Sequence, residues 1–111
     1  MELPKGAQEK VKKLQQYEQK VQALNLQGQQ LEKEKIEIDS AISALDDKVT
    51  KDVYKIIGNV MISSDKETLK KELNEQKKKI ELHIKSLEKQ ENQLKQVAEA
   101  MQAEVLKTMK E

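Results

Sequence analysis

The side chains that most often carry metal or covalent chemistry are nearly missing from this sequence: one histidine, His83, and no cysteine in 111 residues. His83 has no second histidine or thiolate to join it, so a metal site or a general base has nothing to build on. We expect it on a helical seam, as part of a polar layer that fixes register. Aspartate and glutamate number 20, but they fall along helical stretches rather than in a pocket that could exclude water from an acid/base pair. With three glycines in all, no phosphate-cradling loop is present. The reading is of a non-enzyme with no cofactor and no metal. The lysines at Lys70-Lys71 and Lys77 to Lys79 read first as a solvated helix face, with docking to an acidic partner as the alternative.

Composition narrows the class. Hydrophobic residues make up 36%, aromatics 2% and charged residues 37%, too little apolar material for a compact core in a chain of this size. Lys, Glu, Gln, Leu and Ala at 3-4 spacing instead favour long paired helices, and that order argues against disorder. The net charge is +1, the positive side is all lysine, and only Tyr17 and Tyr54 could stack on bases, so nucleic acid is not an expected partner. No apolar run approaches the ~20 residues of a membrane span and the N-terminus has no signal-like apolar region. With cysteine absent, we expect a cytoplasmic location and no membrane partner.

These residues need elements to hold them. Pro4 suits a first helical turn, and from there a heptad stripe runs through Ala7, Leu14, Val21, Gly28, Lys35, Ile42 and Val49, alternating with Tyr17, Leu24, Leu31, Ile38 and Leu45. Helix 1 is therefore expected over about 4-50. Ser64-Asp65-Lys66-Glu67 has the form of a capping box with Ser64 as the cap, which starts helix 2 at about 64 and carries it to about 110. Its expected seam is Leu73, Ile80, Leu87, Leu94, Met101 and Thr108, alternating with Leu69, Gln76, His83, Gln90, Val97 and Glu104, with Ile84, Ala98 and Val105 widening the stripe. Glu67-Lys71, Glu75-Lys79, Glu81-Lys85 and Glu91-Lys95 are favourable i,i+4 pairs. Folding the chain back about Asn59 sets Leu45 against Leu73, Ile38 against Ile80, Leu31 against Leu87, Leu24 against Leu94 and Tyr17 against Met101. The same register places Gly28 opposite Gln90 and Lys35 opposite His83. The expected fold is mainly α: a single domain over 1-111 in which a long antiparallel two-helix coiled coil has arms of roughly 70 Å at 1.5 Å per residue.

Between the helices, residues 53-63 read V-Y-K-I-I-G-N-V-M-I-S and break the helical period. Two short apolar runs around Gly58-Asn59 form a β-hairpin pattern with a tight primed turn. An isolated hairpin is marginal in water, and this one is too apolar to remain exposed. Val53, Tyr54, Ile56, Ile57, Gly58, Val60, Met61 and Ile62 are therefore the expected assembly surface, completed by another subunit. At the other end of the arms, Leu3, Val11, Leu106 and Met109 fall off the strict seam, and Met1, Met101 and Met109 gather there with Val105 close by. Methionine is flexible and polarizable, which suits a soft apolar grip.

The order of long helix, V-Y-K-x-x-G-N-V-x-I hairpin (Val53 to Ile62) and second helix with E-L-x-E-Q (Glu72 to Gln76) and L-E-K-Q-E (Leu87 to Glu91) resembles the β-class prefoldin subunits, most closely the archaeal ones. A single hairpin rather than two favours the β class over the α class. The resemblance implies an ATP-independent co-chaperone, a hexamer of two α-class and four β-class subunits whose hairpins complete an intersubunit β-barrel. It further implies that the coiled-coil tips hold unfolded client proteins for delivery to a group II chaperonin. On this chain the client-gripping region would be Leu3, Val11, Met101, Val105, Leu106 and Met109, and the partners would be α-class subunits and further copies of the chain. A coiled-coil scaffold or spacer without client binding is the alternative that the heptads alone allow.

Overall fold

The computed structural model describes residues 4–47 and 52–110. Its elements are α1 (Lys5–Asp47), β1 (Val53–Ile57), β2 (Val60–Ser64) and α2 (Lys66–Lys110). Two long helices thus flank an antiparallel two-stranded hairpin. The expected extension of helix 1 to about residue 50, and the seam position Val49, lie outside the described residues. So do Met1 and Leu3.

Local chemistry explains where the elements start. Pro4 stands just ahead of α1 and its carbonyl accepts the first helical hydrogen bond, from Gln8 N–H, at 2.9 Å, a place where the missing proline N–H costs nothing. The start of α2 corrects the expected capping box by one residue. Ser64 remains in β2, paired with Val53, and Asp65 is the cap: its Oδ1 accepts from Thr68 N–H at 2.7 Å and its Oδ2 from Thr68 Oγ1 at 2.8 Å. These bonds favour the ionised carboxylate and hold the Asp65 pKa below its ordinary value. Glu67 in the first turn of α2 and Lys107 and Lys110 in its last turn complement the helix dipole.

The chain divides into two compact units, Gln30–Ile84 and Met1–Gln29 with Lys85–Glu111. In the first, Ile38, Ile80 and Ile84 are buried together, with Leu31, Ile42 and Leu73 packed against them. Ile38 and Ile80 therefore share a layer, as the register requires. Each such burial supplies about 1.5–3 kcal/mol against leaving the side chain in water. Ion pairs cross from one helix to the other around this cluster: Asp39–Lys77 at 2.6 Å, Asp46–Lys70 at 2.7 Å and Lys35–Glu81 at 3.8 Å. Hydrogen bonds from Lys70 to Asp46 and from Lys77 to Asp39 raise both ammonium pKa values. Asp46, whose charge opposes the dipole at the end of α1, is thereby neutralised. In the second unit Ala7, Leu87 and Val105 are buried, Leu14, Tyr17, Val21, Leu24, Leu94, Ala98 and Met101 are half-buried, and Lys10 pairs with Glu104 at 3.0 Å.

The α1 seam follows the expected heptads, but half of the expected α2 seam is displaced. Gln76, His83, Gln90, Val97 and Glu104 are exposed, and the covered positions one residue onward are Lys77, Ile84, Glu91, Ala98 and Val105. His83 therefore makes no polar layer with Lys35, whose ammonium goes to Glu81, and Gln90 turns to Ser86 Oγ at 3.3 Å rather than facing Gly28. The lysines explain the shift. Lys70 and Lys77 lay their aliphatic stems along the seam and deliver their charge to Asp46 and Asp39 at its rim, so they are not the plain solvated face expected of them. Of the four expected i,i+4 pairs, Glu91–Lys95 at 3.0 Å is the one formed among the described residues.

Candidate functional site

The hairpin is built by its turn. Ile57 pairs with Val60 and leaves a two-residue loop of Gly58 and Asn59. Gly58 has φ +59° and, among the described residues, no non-glycine residue has positive φ, the II′ pattern, whose twist matches that of the flanking strands. The register then sets two faces. Val53, Lys55, Ile57, Val60, Ile62 and Ser64 share one, and Tyr54, Ile56, Met61 and Ser63 share the other.

Both faces carry apolar surface that stays exposed among the described residues. Tyr54, Ile56, Ile57, Val60, Met61 and Ile62 are 45 to 69% exposed, while Val53 at the base is buried. Because Ile57 and Val60 form the closing hydrogen-bonded pair, alternation turns the backbone N–H and C=O groups of Tyr54, Ile56, Met61 and Ser63 outward. Among the described residues the sheet has two strands, so each edge offers donors and acceptors to a further strand. All eight expected assembly residues thus lie on one short element.

The expected grip residues divide. Leu106 and Met109, three positions apart on the last turns of α2, are 52% and 61% exposed and adjoin on the helix surface. Val11 and Met101 are half-buried and Val105 is buried, so these three serve the seam between the helices. Leu3 lies outside the described residues. Leu26, Ile36 and Leu82 are also exposed, but each stands singly on a helix and forms no patch.

One feature of the hairpin was not anticipated. Lys55 Nζ lies 2.8 Å from Glu72 Oε2 on α2. The signal was in the sequence, since Lys55 is the single charged residue between Val53 and Ser64, but its partner 17 residues on could not be named without the fold. Among the described residues no group of three or more His, Cys, Asp or Glu side chains could hold a metal ion, and no helix is long and apolar enough to cross a membrane.

Comparison with known proteins follows the same outline. The family model described as "Prefoldin subunit" matches residues 8–111. The chain is similar to the prefoldin subunit beta of Caldivirga maquilingensis, with 37% identity over 101 residues, 88% of this chain and 83% of the relative. It is similar also to the prefoldin subunit beta of Pyrobaculum arsenaticum, with 31% identity over 110 residues, 97% of this chain and 88% of the relative. Among solved structures, the prefoldin beta subunit from Thermococcus strain KS-1 superposes with a TM-score of 0.85 at 25% identity, covering 94% of this chain and 92% of that one. The unpaired apolar hairpin between two long helices, and the agreement along nearly the whole chain, have one explanation: the chain belongs to the prefoldin family of chaperone subunits, as a β-class member.

Proposed function

We propose that this chain is a structural and client-holding component of an ATP-independent hexameric co-chaperone in the cytoplasm, built with α-class subunits and further copies of itself. Its hairpin joins the hairpins of neighbouring subunits in a shared β-barrel. Leu106 and Met109 hold unfolded proteins, with Leu3, Val11, Met101 and Val105 assigned to the same region by the resemblance, and the complex passes these clients to a group II chaperonin. The observation that carries this reading is the hairpin, apolar on both faces and open at both edges, an element that a solitary chain would leave wet at a cost.

The experiment compares the wild type with an Ile57→Asp/Val60→Asp variant, each mixed with an α-class subunit. Light scattering is expected to report a multi-subunit mass for the wild type and separate chains for the variant, with helical circular dichroism unchanged. The wild-type complex is expected to suppress aggregation of a chemically denatured protein. A variant of unchanged mass defeats the assembly reading. An assembled complex that leaves aggregation unaffected supports the scaffold alternative instead.

A further inference from the structure

Lys55 is out of place on the hairpin. It shares a face with Ile57, Val60 and Ile62 and lies directly across from Ile62, in the middle of the surface assigned above to assembly. An ammonium group carried unpaired into an apolar interface costs far more than one left in water. In the structure it is not unpaired: Lys55 Nζ sits 2.8 Å from Glu72 Oε2, with the two side chains 41% and 44% exposed. Glu75 lines the same groove between β1 and α2 but forms no ion pair with Lys55 among the described residues.

We propose that Glu72 is a positioning residue for assembly: by pairing with Lys55 it neutralises the one charge on the hairpin and fixes the face of β1 that turns toward α2. The inference rests on the assembly reading. Two polar links among the described residues tie the hairpin to α2. One is the short link through Asp65, whose carboxylate caps the helix, and the other is the Lys55–Glu72 pair. In the separate chain the pair is solvated and contributes little. When a neighbouring subunit covers Ile57, Val60 and Ile62, water leaves the pair and its integrity starts to govern affinity. Glu72 therefore acts on assembly without contacting the partner's strands.

The test measures assembly with an α-class subunit as a function of concentration. Glu72→Gln removes the countercharge while keeping size and polarity, and is expected to raise the concentration for half-assembly about tenfold or more. Adding Lys55→Met to Glu72→Gln removes the orphaned charge, and is expected to bring assembly back to within about threefold of the wild type. The exchanged pair, Lys55→Glu with Glu72→Lys, is expected to recover most of the loss. Helicity and thermal midpoint of the unassembled chains should stay the same throughout, which a merely stabilising pair would not allow. Assembly of Glu72→Gln at the wild-type concentration overturns the inference, as does a double variant no better than the single. A wild type that stays separate with its partner overturns the assembly reading and this inference together, whereas wild-type assembly with an indifferent Glu72→Gln overturns this inference alone.

Discussion

Asp65 and Ser64 are adjacent residues of nearly equal merit as helix caps, and side-chain type alone does not choose between them. The choice is made by strand pairing, because the Val53–Ser64 pair commits Ser64 to β2 and leaves Asp65 the first residue free to cap. Gly58 was easier to place, since a glycine ahead of asparagine between two apolar runs needs no tertiary information to be read as a primed turn. The Asp65 cap has a consequence for pH. Its folded-state pKa is depressed, chiefly by the backbone N–H of Thr68 and then by the Thr68 hydroxyl. Its stabilising effect is therefore complete above the unfolded aspartate value, about 4, and is lost as pH falls through the lower folded value. Asn can cap the helix without titrating, so Asp65→Asn is expected to flatten the acid limb of the stability curve, while Asp65→Ala lowers the melting temperature at neutral pH. Thermal melts between pH 2 and 7 check both.

At the scale of elements, α1 was legible because one half of its seam, Tyr17, Leu24, Leu31, Ile38 and Leu45, is apolar or aromatic at every position and fixes the frame despite Gly28 and Lys35 in the other half. The seam of α2 was not, because Lys70, Lys77 and Glu91 occupy covered positions and a hydrophobic count passes over them. Two frames then fit the remaining apolar residues, one through His83 and one through Ile84. What decides is the rim chemistry: Asp39 and Asp46 on α1 stand where the ammonium groups of Lys77 and Lys70 reach them. That pairing depends on which helices face each other, which no single helix displays. The frame predicts a sharp difference between neighbours. Ile84→Ala, at 8% exposure inside the cluster with Ile38 and Ile80, is expected to cost about 2 kcal/mol through lost burial and an unfilled cavity. His83→Ala, on the exposed side, is expected to stay within about 0.5 kcal/mol. Denaturant unfolding of the two variants measures the gap, and equal losses would restore His83 to the seam.

The whole molecule separates two kinds of apolar surface by size. The hairpin presents six large apolar side chains, whereas the last turns of α2 present Leu106 and Met109. A pair of side chains buries too little area to hold an unfolded protein on its own, at about 25 cal/mol per Å² less the cost of ordering. Under the proposed function, client holding therefore has to draw on several arms at once, and the proposed role of the hairpin is to bring those arms together. Linked weak sites gain on the order of 10²–10⁴ in overall affinity over a single site without any new contact. The Ile57→Asp/Val60→Asp variant leaves Leu106 and Met109 untouched, yet at equal chain concentration it should lose aggregation suppression along with assembly. Leu106→Ser/Met109→Ser should lose suppression while keeping the assembled mass, because neither residue belongs to the hairpin. Measuring mass and suppression on both variants separates the two surfaces, and unassembled chains that suppress aggregation as well as the complex would show that one arm suffices.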